Sequence, residues 1–255
     1  MILSSRPAII LGNILVTLVL IGLWKLCADL KLISPIYFPG PEKTFASIYD
    51  GFASGDLYPI VGGTVRRMFF GWFLATLLGV ALGVLISSSR TVREYLSTSL
   101  EFIRPLPASA LMPVAIALIG LSEGMILSVI AFGAIWPMLI GTVHGISEVE
   151  PRLAEVGHAL RLNRWQVIVK IALPSALPDI LANMRLGLTI ALILAVVGEM
   201  LTNRAGLGSW ILSGARFFRS QDIFAGVILL GLIGASSGYL LSRAEAYLLK
   251  WKRQS

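Results

Sequence analysis

Met68 to Ser89 reads MFFGWFLATLLGVALGVLISSS, twenty-two residues without one ionisable side chain. As an α-helix at 1.5 Å per residue such a run reaches about 33 Å, enough for a hydrocarbon core of about 30 Å. Lipid offers no water to satisfy backbone N–H and C=O groups, so a lone apolar run in a bilayer must close its hydrogen bonds internally, as a helix. Other runs of this kind flank it. Ala8 to Trp24 is charge-free and slightly short; Pro105 to Ser122 is charge-free; Gly124 to Ser147 carries only His144. Ile180 to Leu201 carries Arg185 near its start and Glu199 near its end, and Ile223 to Ser242 is again charge-free. The expectation is an all-α integral membrane protein of about six transmembrane helices, with residues 1–255 forming one transmembrane domain. In the third run Pro105, Pro107 and Pro113 remove early helical hydrogen bonds, a kink that neighbouring helices can compensate.

Composition agrees. The chain is 56% hydrophobic and 14% charged, against about 25% charged in soluble domains. The net charge of +7 is not a nucleic-acid patch, because Lys and Arg sit at the ends of apolar runs. The single Cys27 excludes an intramolecular disulfide and any multi-cysteine metal site. His144 and His158 are too isolated to suggest a metal, and no cofactor is expected. There is no Gly-Lys-Ser or Gly-Lys-Thr phosphate loop, no His-Glu-x-x-His and no Gly-x-Ser-x-Gly. The chain is therefore not expected to be an enzyme. No small-residue cleavage site closes the run after Arg6, which reads as a retained first helix.

Orientation follows the cations. With the N-terminus in the cytoplasm, the inner segments hold Arg6, Arg90, Arg93, Arg104, Arg152, Arg161, Arg164, Lys170, Arg243, Lys250, Lys252 and Arg253. The outer ones hold Lys31, Lys43, Arg66, Arg67, Arg204, Arg216 and Arg219. Twelve against seven places both termini inside, although Arg66 and Arg67 oppose it. Arg185 reads as a snorkelling residue. Between the first two expected spans, Phe45, Ile48, Tyr49 and Phe52 recur at helical spacing, suggesting a short helix on the outer membrane surface.

The other long connection, about 148–178 between the fourth and fifth spans, contains EVEPRLAEVGHALRLNRWQVIVKIALP from Glu148 to Pro174. Ser147 with Glu150 is a capping-box pattern and Pro151 suits a first helical turn. Leu153, Val156, Gly157 and Leu160 fall on one face, and a second short helix is expected from Arg164 to Ile171. Periodicity leaves two readings of this helix–turn–helix open: an apolar face resting on the bilayer, or one docked on another protein.

The spacing resembles the signature loop of binding-protein-dependent permeases: Glu-Ala-Ala, three residues, Gly, nine residues, Ile, any residue, Leu-Pro. Glu155 takes the Glu position, Val156 and Gly157 the two Ala positions, and Ile171, Leu173 and Pro174 the last three. The family Gly is Arg161 here. RPLPASALMPVAIALIGLSE from Arg104 to Glu123 resembles the Arg-Pro-x-Pro helix of the subgroup that imports taurine, alkanesulfonates and nitrate. Phe38 to Glu42 (FPGPE), Arg164 to Val167 (RWQV) and Gly206 to Gly208 (GLG) support it. The resemblance runs from about Ile33 to Lys252. It implies the permease subunit of an ATP-driven importer in a bacterial inner membrane, carrying a small anionic solute such as a sulfonate, nitrate or related organic acid. It also implies two cytosolic ATPase subunits, an extracytoplasmic substrate-binding protein and a second permease copy in a homodimer. The loop would be the coupling helix, with Leu153, Glu155, Val156, Gly157, Leu160 and Arg161 facing the ATPase. Arg161 either contacts an acidic patch there or sits in a looser, solvated turn.

Ser109, Thr189 and Glu199 are the polar candidates for a translocation path. Glu199 either serves that path or pairs at the interface with a neighbour such as Arg204. With no charge at the middle of any span, the path is expected to be weakly selective, the binding protein choosing the solute. Arg204, Arg216 and Arg219 would receive the anion or dock that protein. A secondary transporter and an intramembrane enzyme are the rival classes; the first would usually show inverted repeats and the second a nucleophile with its base. Neither pattern is found.

Overall fold

A computed structural model describes residues 6–250, all-helical among the described residues. In chain order the elements are α1 (Arg6–Asp29), α2 (Pro41–Ala53), α3 (Leu57–Ser87), α4 (Arg90–Ile103), α5 (Met112–Ile119), α6 (Glu123–Ser147), α7 (Pro151–Ala159), α8 (Arg164–Val167), α9 (Leu173–Thr202), α10 (Leu207–Arg216) and α11 (Ser220–Leu248). A 3-10 turn, Ala108–Leu111, precedes α5, and a π turn, Ile168–Ala172, joins α8 to α9. Helices at Leu11–Asp29, Leu57–Ser87, Glu123–Ser147, Arg164–Thr202 and Ser220–Leu248 are long and apolar enough to cross a membrane. The chain ends, whose side of the membrane the cation count addresses, lie outside the described residues.

The third expected span takes a different form. Pro105 and Pro107 interrupt the helix, so residues 90–103 become a separate amphipathic helix whose N-terminus is capped by Ser89 Oγ, accepting from Val92 N. Only Ala108–Ile119 remains as an apolar helical segment there. Its twelve residues reach about 18–20 Å, short of a full crossing. Among the described residues, five long helices and this broken one make up the six segments.

α3, α6 and α9 form the centre. Their side chains build the main core from Met68, Ala75, Ile130, Ala134, Leu188 and Leu194, among others. Small residues let the backbones approach. A Cβ on Gly79 would stand 2.9 Å from the Ile135 carbonyl oxygen, and one on Gly145 2.9 Å from Ala176 Cα. Gly79 and Gly83 form a Gly-x-x-x-Gly pair that packs in this way, whereas in the pair Gly234–Gly238 on α11 Gly238 has nothing within 4 Å. α1 lies at the periphery, with none of its apolar window buried. It is tied to the α2 entry by a Trp24 Nε1 hydrogen bond to the Pro39 carbonyl (2.9 Å) and a Lys25–Glu42 ion pair. That cation draws the Glu42 carboxyl below its ordinary pKa.

α2 is the short helix expected after the first span, and Pro41 starts it as a first-turn proline should. The bundle-facing side carries Pro41 and Thr44, both buried, while Phe45 and Tyr49 are exposed.

Candidate functional site

The connection between α6 and α9 is ordered by three local devices. α7 ends with Arg161 in a left-handed backbone conformation, φ +50°. Leu162 N donates back to the Gly157 carbonyl at 3.0 Å, which is the six-to-one bond of a Schellman ending with Arg161 where glycine usually sits. The turn expected at the family Gly is therefore present, with an arginine bearing its strain. Next, Asn163 and Gln166 form a reciprocal capping box: Asn163 Oδ1 accepts from Gln166 N (2.8 Å) and Gln166 Oε1 accepts from Asn163 N (2.9 Å). The box expected at Ser147 is not made, because the Ser147 hydroxyl donates to the Val143 carbonyl (2.7 Å). Finally, α8, the π turn and α9 run on as one helix from Arg164 to Thr202. Leu173 N reaches the Ile168 carbonyl, five residues back, and Pro174 has no N–H to offer. A push on this segment is thus a push on the fifth expected span.

The face of α7 divides. Leu153, Val156 and Leu160 are 38%, 49% and 66% exposed, and Glu155 is exposed beside them. Gly157 is buried on the inner side: its absent Cβ would lie 3.2 Å from Ile171 Cδ1 and 3.3 Å from Val167 Cγ2. Gly157 thus closes the hairpin onto itself rather than centring the outward face. The outward stripe is Leu153, Val156 and Leu160. Arg161 is exposed. Replacing it by glycine should raise thermal stability by about 0.5–1 kcal/mol by removing left-handed strain. A thermal melt with no gain, or with a loss, would show that the Arg161 side chain holds the loop.

At the opposite end of the bundle Glu199 is fully buried and completely used. Its Oε1 accepts from Arg67 Nη1 (2.8 Å), and Oε2 accepts from Thr64 Oγ1 (2.9 Å) and from Gly208 N (3.0 Å). Thr64 Oγ1 in turn accepts from Leu207 N (2.8 Å), and Arg67 Nη1 also donates to the Ala205 carbonyl (3.0 Å). These five hydrogen bonds converge on one role: the carboxylate seats the start of α10 against α3 and α9. The Gly206-Leu207-Gly208 motif now has a reason. A Cβ on Gly206 would fall 2.2 Å from Glu199 Cδ, and one on Gly208 2.2 Å from the Val196 carbonyl oxygen. The partner of Glu199 is Arg67, which the cation count treats as an opposing surface charge; Arg204 instead donates to the Leu121 carbonyl (3.2 Å). Arg66 pairs with Glu123 (2.7 Å). The two arginines that oppose the orientation rule are neutralised in place.

The three polar residues proposed for a path lie apart. Thr189 lines a cleft of about 200 Å³ toward α11, beside Arg185, Ser237 and Gly238. Arg185 is paired with Glu245 (2.5 Å). Ser109 lines a larger cavity, about 450 Å³, against the middles of α6 and α9. There Gly133 admits Ala108, whose Cβ would lie 2.8 Å from a Cβ on the glycine. This contact seats the turn at Ala108 against the middle of α6. Arg104, Trp136 and Asn183 share the cavity; none was marked as a path residue by sequence, since Arg104 was counted among the inner-side cations.

Residues 75–254 match the family of binding-protein-dependent transport system inner membrane components. A putative aliphatic sulfonates transport permease protein of Bacillus subtilis is 32% identical over 240 residues, covering 94% of this chain and 87% of that protein. The taurine transport system permease protein of Escherichia coli is 27% identical over 91% of this chain and 85% of its own length. A nitrate import permease protein of Leptolyngbya laminosa is 26% identical over 88% and 84%. In fold, the chain superposes on a solved chain of the MetNI methionine transporter in an inward-facing conformation with a TM-score of 0.61, at 20% identity over 74% of this chain and 95% of that one. The chain belongs to the binding-protein-dependent permease family and is the membrane subunit of an ABC importer.

Proposed function

We propose that two copies of this permease form one translocation path, served by two cytosolic ATPase subunits at the α7–α8 loop and by a substrate-binding protein at the α10 end. The observation that carries this reading is the outward stripe of Leu153, Val156 and Leu160 on a short helix closed by a Schellman turn at its C-terminal end. A small solvated helix gains nothing by exposing three large apolar side chains, whereas a docking helix needs them. The ATPase-facing set is Leu153, Glu155, Val156, Leu160 and Arg161, with Gly157 bracing the hairpin from behind. Because α8 is continuous with α9, ATPase closure would be delivered directly to the bundle centre. The path then alternates between inward- and outward-facing states as a rigid-body switch. ATP hydrolysis belongs to the partner. The sulfonate, taurine and nitrate permeases among the relatives support a small anion as the solute.

The reading places the α7–α8 loop and both termini in the cytosol. A His158→Cys substitution in a Cys27→Ser background should react with a membrane-impermeant maleimide only after the cells are opened. Labelling in intact spheroplasts would reverse the orientation. Co-purification of an ATPase subunit with the tagged permease is the companion result, and uptake that continues without any ATPase would return the chain to the secondary transporters.

A further inference from the structure

We propose that Glu123 is the switch of a two-position latch on α10. In the structure its carboxylate is held by Arg66 at 2.7 Å; in the second position it transfers to Arg67 Nε and draws that guanidinium off the start of α10. The inference rests on the reading that the bundle alternates between two states. Arg67 Nε is a buried donor with no hydrogen-bond partner among the described residues. Glu123 Oε1 stands 3.8 Å from it, inside ion-pair range but too far for a hydrogen bond. A buried N–H left unpaired is costly, so its retention beside a carboxylate fits a contact that is made in one state and open in the other.

The two positions are closely balanced. The Arg66 and Glu123 side chains are 56% and 38% exposed, and an exposed pair is weak. The contact to Arg67 would be charge-assisted and shielded, because the Arg67 side chain is 5% exposed. Its cost falls on α10. Arg67 Nη1 donates both to Glu199 Oε1 (2.8 Å) and to the carbonyl of Ala205 (3.0 Å), in the linker from α9 to α10. Gly63 admits that carbonyl, since a Cβ there would stand 2.6 Å from its oxygen. Moving the guanidinium about 1 Å toward Glu123 makes the new hydrogen bond. It breaks the Ala205 contact first and loosens the seat that Leu207 N and Gly208 N complete. The corner that carries Glu123 has room to follow. Gly120 turns there at φ +80°, with nothing within 4 Å of an added Cβ. Arg204, in the same α9–α10 linker, donates to the Leu121 carbonyl (3.2 Å), so linker and corner are tied. Arg66 and Arg67, neighbours on α3, thus compete for one carboxylate.

The test is hydrogen–deuterium exchange of a peptide spanning residues 203–210, which holds the Leu207 and Gly208 amides, in the full permease–ATPase complex in nanodiscs. Arg66→Gln frees the carboxylate for Arg67 and should speed exchange there about fivefold, the worth of an exposed ion pair. Glu123→Ala removes the second position and should slow exchange below the wild-type rate, and the double variant should follow Glu123→Ala. Trapping with ATP and vanadate should change the wild-type rate about threefold or more, and Glu123→Ala should erase that change. A merely structural Arg66–Glu123 pair gives another pattern, with both single variants loosening the segment alike. That result, or rates unmoved by either variant, overturns the latch. A second peptide over the α7–α8 loop, residues 148–167, reports the alternation itself. Trapping that alters the loop but leaves the wild-type 203–210 segment unchanged overturns the latch alone. Trapping that alters neither segment overturns the alternating reading and the latch with it.

Discussion

Glu199→Ala should be the most destabilising single substitution in this protein, costing about 3–5 kcal/mol and sharply lowering the amount of folded permease recovered from the membrane. The change strands Arg67, buried at 4% exposure, with only Glu123, 3.8 Å away and shared with Arg66, as a counter-charge. It also removes the acceptor for Thr64 Oγ1 and Gly208 N. α10 would lose its seat, and with it the small cluster of Leu57, Leu207 and Leu229 that it completes. Glu199→Gln keeps an acceptor oxygen but not the charge, so it should fall between. Arg67→Met should then rescue Glu199→Gln substantially, because the pair is coupled and the double variant buries no unpaired charge. Thermal melts of the four proteins in one detergent form the cycle. Additive single effects, or a Glu199→Ala melt equal to the parent, would show that the Glu199–Arg67 pair does not seat α10. A role for Glu199 as a path residue predicts the reverse pattern: a stable protein with altered transport.

Val156→Asp should abolish ATPase binding while leaving the permease folded. Val156 is half exposed at the middle of the α7 stripe, so its replacement costs little in the isolated subunit, within about 0.5 kcal/mol for a surface position. Buried against a partner, an aspartate there would lose the apolar contact and introduce an unpaired charge, and a central contact of this kind is worth about 2 kcal/mol or more. Affinity for the ATPase should fall at least about thirtyfold. Leu160→Asp should act in the same way. Gly157→Trp is a different experiment, because its side chain would drive into Ile171 and Val167 and spoil the hairpin itself. It should reduce transport together with loop stability. Co-purification plus a melt separates the cases. A Val156→Asp protein that keeps its ATPase would leave the bilayer as the partner of the stripe.

Helical periodicity put Leu153, Val156 and Leu160 on one face of a helix starting near Pro151, and all three are exposed together. It also placed Gly157 with them. A helical wheel cannot tell the outer edge of a stripe from its inner edge until the second helix of the hairpin is in position. Ser147 and Asn163 show the same limit for capping. Both sit three residues before a Glu or Gln, and which one caps depends on whether its side chain is spent on the preceding helix, as that of Ser147 is.

Charge was legible in number and misread in place. Arg67 and Glu199 are 132 positions apart, and nothing local links them. Arg104 reads as a cation at a span boundary, and Pro105 and Pro107 announce a kink there without giving its direction.

What the sequence by itself determined is everything that depends on local composition and on the solvent: a helical membrane protein, the long spans, the loop between the fourth and fifth, and the family. Runs of apolar residues without charge have one stable form in lipid, so no tertiary information is needed to know it. The tertiary structure decided which polar groups meet. It paired Arg67 with Glu199, turned Gly157 inward, separated Ser109 from Thr189, and set Arg104 on the same cleft as Trp136 and Asn183. These are long-range outcomes of how α3, α6 and α9 close on one another through their small residues, and helix packing of that kind is settled by the shapes of whole faces rather than by any single segment.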